Sequence, residues 1–329
     1  MILGLLAICT IGYAANGQTK AKKGEITNPK TYSRLVFIHS AAIQDILDSA
    51  VKDVLENSAG AKFKDGEIAA TVIDLTDLQE MKQASYAGEM SIYPASVVKM
   101  FYMTALERQL EDGQVVMTPE LERGLRDMIV DSSNEATQYV LDVITGTSSG
   151  AELPEKAFEA WQYKRNIVNR YFGSMGYQNI NVNQKTFCED AYGIEQQSRK
   201  YKGENRNMLT TNATSRLLAE IVMGRIATPE RTQIMMGLMH RDPFSASGGD
   251  DDQAHGFTGR LLIDRKMTDA KLWSKAGWTS KARHDAAYIE TADGLKFIMV
   301  VFTENHANDI SIIPAVTGKV LDGLRKIKK

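Results

Sequence analysis

Apolar residues first fall at helical spacing between Ala41 and Asn57, where Ile43, Ile46, Leu47, Ala50, Val51, Val54 and Leu55 mark one face of an amphipathic helix. Two runs follow, the β-branched Glu67–Asp74 and then Gln83–Met90, and they read as neighbouring strands joined by a polar turn. From Ser96 to His240 the period becomes helical. It predicts helices over Val97–Leu110, Pro119–Val130, Asn134–Ile144, Ala157–Phe172, Thr214–Ile226 and Pro229–His240. Thr228 before Pro229, and Ser133 with Asn134 and Glu135, supply start signals. Strands return over Leu272–Trp278, His284–Thr291 and Leu295–Glu304, with Ala292–Gly294 as a hairpin turn, and Ile310–Ile327 closes as a helix.

Strands at both ends with helices between them predict an α+β fold. Residues 32–95 and 260–329 would build one antiparallel sheet subdomain, and residues 96–259 would form an inserted all-helical subdomain. A cleft between such units is a favoured place for a small-molecule site. Trp161, Tyr163, Tyr171 and Phe172 recur at helical spacing and read as core, and the Gly248–Asp252 cluster reads as a solvated loop.

The first fifteen residues change the picture, because they are apolar and uncharged and give way abruptly to a lysine-rich stretch. The run is shorter than the ~20 apolar residues that span a bilayer, and Ala15 and Gly17 offer a small-residue cleavage site before Gln18. The expectation is a signal peptide over residues 1–17, a flexible linker over 18–31, folding from near Tyr32, and an exported, periplasmic or secreted chain without a stable membrane span. The 329 residues carry 39 Lys and Arg against 41 Asp and Glu, a balance that gives no reason to expect a nucleic-acid partner. Cys9 and Cys188 are the two cysteines. With Cys9 removed, neither an intramolecular disulfide nor a multi-cysteine zinc site could form, and Cys188 reads as structural.

The chemistry-bearing residues come in three groups. Ser96 opens the first central helix, with Lys99 one turn on along the same face. A serine hydroxyl is a poor nucleophile until a base removes its proton, and a lysine serves if burial or neighbouring positive charge lowers its pKa. The helix N-terminus also favours developing negative charge. Ser132-Ser133-Asn134 begins another helix, and Lys275-Ala276-Gly277 lies on a strand after the helical block.

This order, S-x-x-K, S-x-N, K-x-G on a sheet, helices, sheet plan, resembles the penicillin-recognising serine hydrolases, most closely the class A β-lactamase-like branch. The segment Met128–Leu141 and the strand pair after Gly277 add to the resemblance, which runs from about Tyr32 to the C-terminus. It implies a β-lactamase/transpeptidase-like fold and an acylated nucleophile at Ser96. Lys99 would be its proton partner, Ser132 a relay to the leaving nitrogen, and Asn134 a positioning amide. Lys275 would bring positive charge to Ser132 and the substrate carboxylate, and Gly277 would let substrate approach the strand edge. The backbone N–H groups of Ser96 and Trp278 would form an oxyanion hole, each donor worth ~3 kcal/mol. No metal or other cofactor is implied.

The pattern also departs from that family. Ser133 stands where an Asp is usual, Ala276 replaces a hydroxyl residue, and the interval from Ser96 to Ser132 is short. Leu209–Thr214 looks like the Thr-rich helix start that follows the family's deacylating Glu-x-x-Leu-Asn segment, yet that segment is missing. Glu195 sits at about the expected separation and is the candidate deacylation base; without one, an acyl-enzyme would form and persist. Arg283 is either a contact for a substrate carboxylate or part of a strand-end salt-bridge cluster. His284 has no triad role, because Lys99 already supplies a base.

Three functions follow as expectations. The first is a class A-type β-lactamase opening β-lactam amides. The second is a D-alanyl-D-alanine peptidase, or another acyl hydrolase, acting on a peptidoglycan-type peptide. The third is a non-catalytic cell-wall-binding protein. The oligomeric state is left open.

Overall fold

The structure is a computed structural model that describes residues 24–57, 62–245 and 248–328. The expected signal peptide lies outside the described residues, as does the start of the expected linker. The chain runs β1 (Ile38–His39), α1 (Ala41–Asn57), β2 (Ile68–Asp74) and β3 (Lys82–Tyr86), then a 3₁₀ turn at Ala95–Val98. Nine helices and a short strand follow: α2 (Lys99–Glu111), α3 (Pro119–Ile129), α4 (Asn134–Thr145), α5 (Glu155–Arg165), α6 (Ile167–Ser174), α7 (Ile194–Arg199), α8 (Thr211–Val222), α9 (Pro229–Met239), β4 (His240–Arg241) and α10 (Phe257–Asp264). The chain closes with β5 (Lys271–Trp278), β6 (Ala282–Glu290), β7 (Lys296–Glu304) and α11 (Ile312–Lys328).

The strands form one sheet in the order β1-β3-β2-β7-β6-β5-β4, so β2 and β7, from opposite ends of the chain, pair at its centre. Every pairing is antiparallel except β1 with β3. The sheet is covered on both faces, which explains why its central strands are nearly continuous apolar runs. Alternation still decides direction. Ile298, Val300 and Phe302 of β7 face the helical core around α2 and α8, while Phe297, Met299 and Val301 face α1 and α11. By the same rule Lys275 and Gly277 of β5 share a face with each other and not with Ala276, which belongs to the α1–α11 core. Among the described residues no helix is long and apolar enough to cross a membrane.

Several expectations need correcting. The described part of the expected linker is docked: Ile26 is buried in the helical core, Glu25 pairs with Arg170 at 3.0 Å, and the Thr27 carbonyl accepts from Arg108 at 3.1 Å. Folding therefore begins ahead of Tyr32. The helix expected over Ala157–Phe172 breaks at Asn166, whose side-chain oxygen accepts from Asn169 at 2.7 Å and Asn183 at 2.9 Å. Of the four aromatic residues expected there as core, Tyr171 and Phe172 are core but Tyr163 is exposed, with the Arg170 guanidinium 3.9 Å from its ring centre. The helices α7 and α10 and the strands β1 and β4 are too short to leave a periodic signal.

The docking of the leading segment sets a test. Ile26→Ala should lower unfolding free energy by about 2–4 kcal/mol, the usual range for emptying a buried aliphatic site. Urea denaturation reads this directly. An unchanged midpoint would mean that the segment contributes nothing to the fold.

Candidate active site

Ser96 lies in the 3₁₀ turn ahead of α2 and is partly exposed, whereas Lys99, at the start of the α-helix proper, is fully buried. The preceding residue, Ala95, has φ 45°, a left-handed conformation that a side chain disfavours. Ser132 shares this feature at φ 57°, so both serines are presented by turns that their surroundings hold in place. After Ser132 the chain enters α4 at once. The Ser133 hydroxyl accepts from the Ala136 N–H at 3.1 Å, which makes it the N-cap and leaves Asn134 as the first helical residue.

Two lysines meet at the Ser132 hydroxyl. Lys99 Nζ is 3.3 Å from Ser132 Oγ, 2.5 Å from the Ser132 carbonyl oxygen and 2.9 Å from Asn134 Oδ1. From the sheet, Lys275 Nζ reaches the same Ser132 Oγ at 3.0 Å and also donates to the Ala276 carbonyl at 2.8 Å. Burial pushes the Lys99 ammonium down to about 7, only partly opposed by Glu135 and Cys188. Burial also lowers the Lys275 pKa, helped by the positive charges of Lys99 and Arg241, with Asp285 opposing. A neutral Lys99 amine has two N–H donors and one lone pair. The Ser132 carbonyl and Asn134 Oδ1 are pure acceptors that take the donors, so the lone pair remains free for a hydroxyl proton.

Gly277 lets β5 pack against the Ser96 turn. A Cβ there would lie 2.7 Å from the Pro94 carbonyl oxygen and 3.0 Å from the Ser96 amide nitrogen, so only glycine lets β5 come this near the nucleophile turn. Its partner across the ladder is His284. The His284 Nδ1 accepts from the Thr303 N–H at 3.1 Å, which places the ring proton on Nε2, where it donates to the Tyr93 carbonyl at 2.9 Å. Burial pushes this imidazole down to about 4, so it is a neutral strut for the Ser96 turn. Trp278 stands exposed at the end of the strand.

Two candidates are placed elsewhere. Glu195 is buried, and both its oxygens are taken by Arg165 at 2.8 and 2.9 Å, with Lys185 at 3.4 Å and the Ser149 hydroxyl at 2.9 Å. Burial alone would raise its pKa, but Arg165, Lys185 and Ser149 outweigh it and hold the carboxyl below the usual range. A carboxylate so engaged is a poor base, and the structure gives it a structural role in the wall that carries residues 183–199. Arg283 is also buried. It pairs with Asp251 at 3.0 Å, donates to the Asp250 carbonyl and lies over the Phe257 ring, so it anchors the 248–252 loop rather than facing the cleft. That loop is therefore not simply solvated.

Two residues come to the site without having been expected there. Cys188 is exposed, and its Sγ lies 3.4 Å from Asn134 Nδ2, so it borders the candidate site and is not a structural thiol. Gln253 accepts from Lys275 Nζ at 2.6 Å. Neither carries a spacing signal; Gln253 follows an acidic loop, and only the question of what satisfies a buried Lys275 would have led to it. Among the described residues no cluster of three or more His, Cys, Asp and Glu could hold a metal ion.

A model of the β-lactamase enzyme family matches residues 117–322. The sequence matches none of the curated proteins it was compared with. Among solved structures, a representative class A β-lactamase from Bacteroides cellulosilyticus superposes with a TM-score of 0.60 at 16% identity, covering 87% of this chain and 100% of that one. The β-lactamase from Sphaerobacter thermophilus gives 0.57 at 17% identity, covering 86% and 95%. A structure described as PBP-A gives 0.58 at 14% identity, covering 89% and 100%. At such identities the structural likeness establishes the β-lactamase-like fold.

The buried Glu195 cluster sets a pH test. Glu195→Gln should lower stability at pH 7 by about 3 kcal/mol, as breaking a buried ion pair does. The wild-type carboxyl is held below its unfolded value, so its contribution is complete above about pH 5 and is lost as pH falls through the folded pKa. Urea unfolding of both proteins should therefore show the deficit shrinking toward pH 3. Equal stabilities at pH 7 would overturn the structural assignment.

Proposed function

Because the chain belongs to the β-lactamase enzyme family, we propose that it is a serine acyl hydrolase whose Ser96 opens β-lactam amides and is released slowly from the resulting ester. The observation that carries this reading is the meeting of Lys99 and Lys275 on one hydroxyl, that of Ser132. Ser96 Oγ attacks the amide carbonyl while neutral Lys99 takes its proton. The C–N bond of the tetrahedral intermediate then breaks as Ser132 passes its proton to the departing nitrogen. Ser132 recovers a proton from Lys99, so the base returns to its starting form and the protons balance. Lys275 supplies positive charge for a substrate carboxylate, and the Ser96 and Trp278 amides would hold the oxyanion.

The engagement of Glu195 favours slow deacylation, and with it the second reading, a peptidase that β-lactams trap as a lasting ester. A purely binding role is poorly supported, because burying two lysines against one hydroxyl costs free energy that recognition alone does not require. The location proposed alongside is outside the cytoplasm, periplasmic or secreted, and rests on the apolar opening run alone.

Intact-mass measurement after penicillin exposure, paired with nitrocefin turnover, tests this. Wild type should gain one penicillin mass, hold it for minutes and turn nitrocefin over slowly. Ser96→Ala should do neither. Fast turnover without a retained adduct would contradict slow deacylation, and an adduct on Ser96→Ala would contradict the choice of nucleophile.

A further inference from the structure

We propose that Gln253 is a positioning residue for acylation, one amide that locks the Lys275 side chain to the turn carrying Ser132. The inference rests on the Ser96 reading above and deepens it. Gln253 Oε1 accepts from Lys275 Nζ at 2.6 Å and from the Ala276 N–H at 3.1 Å. Its Nε2 donates to the Ile129 carbonyl at 3.1 Å and the Val130 carbonyl at 2.8 Å. A primary amide has two acceptor sites and two donors, and here all four are used. The partners also fix its orientation, since two N–H groups face the oxygen and two carbonyls face the nitrogen.

Location makes this bridge functional. Ile129 and Val130 end α3, where helix carbonyls lack intrahelical partners, and Ser132 follows two residues later at its left-handed φ. Lys275 belongs to β5 on the sheet side. The amide therefore fixes how far Lys275 Nζ stands from Ser132 Oγ, the 3.0 Å contact through which the Lys275 charge acts on the relay hydroxyl. It also gives the Lys275 ammonium an acceptor at 2.6 Å. The charged groups acting on that ammonium are Lys99 from α2, Arg241 from β4 and Asp285 from β6, and two of the three are repulsive. The Gln253 oxygen opposes that repulsion from the closest range of any Lys275 acceptor.

The test is single-turnover labelling by a fluorescent penicillin across pH, on wild type, Gln253→Leu and Gln253→Glu, each checked for folding by thermal melting. Leucine keeps the bulk and removes all four hydrogen bonds. It should slow acylation by about 10²-fold, as a misplaced catalytic group does, and move the alkaline limb of the profile to lower pH. Glutamate keeps the oxygen that faces Lys275, loses the two donors to the Ile129 and Val130 carbonyls and adds a negative charge, so it should slow acylation yet move that limb to higher pH. A role in folding alone would not drive the limb in opposite directions. Labelling rates within twofold of wild type, or slower rates with the limb unmoved in both variants, would overturn the proposal while leaving the Ser96 reading intact. An unlabelled wild type would overturn both.

Discussion

One hydroxyl with an amine on either side organises this protein. Ser132 Oγ lies within 3.3 Å of Lys99 and 3.0 Å of Lys275, and both lysines are fully buried. Two ammonium groups so close in a low-dielectric site repel strongly, and the cheapest relief is for one to give up its proton. Burial leaves Lys99 a neutral amine near physiological pH without a histidine, while the repulsion falls on Lys275. The same constraint explains the acceptors packed around the pair. The Ser132 carbonyl, Asn134 Oδ1, Gln253 Oε1 and the Ala276 carbonyl satisfy the remaining N–H groups, which would otherwise be buried unpaired.

The fold is arranged to bring these groups together from distant parts of the chain. β2 and β7 join the two chain ends into one sheet, and β6 carries His284 to the back of the Ser96 turn. β5 comes close enough to that turn only because Gly277 has no side chain. Between β5 and Ser132 stand Gln253 and Arg241, both hydrogen-bonded to the Ile129 carbonyl at the end of α3. The sheet and the helical lobe are therefore tied together at the candidate site as well as through the core between β7 and the helices α2 and α8. Rigidity here agrees with the left-handed Ala95 and Ser132, since strained turns persist only where their surroundings over-determine them.

Much of this was legible in the sequence, for physical reasons. Long amphipathic helices such as Ala41–Asn57 leave a clear period, and the structure has α1 over those same residues. The central strands β2 and β7 showed as apolar runs because both faces of the sheet are covered. Ser96, Lys99, Ser132, Asn134 and Lys275 stood out because three ordered motifs carry more information than one. Loops were a different matter. Glu195 lies at a plausible separation but is neutralised by Arg165, which comes from a helix thirty positions earlier. Arg283 meets an acidic loop that composition alone reads as solvated. Gln253 and Cys188 reach the site through tertiary packing, and nothing local to either residue points there.

The central claim is that Lys99 is neutral over much of the physiological pH range, and a titration of the lysine side chains measures this directly. In protein labelled with carbon-13 at lysine Cε, one resonance should titrate near 7 and be missing from the Lys99→Arg protein. Titration of every lysine near 10 would contradict the account, because Lys99 would then hold its proton and could not take one from Ser96.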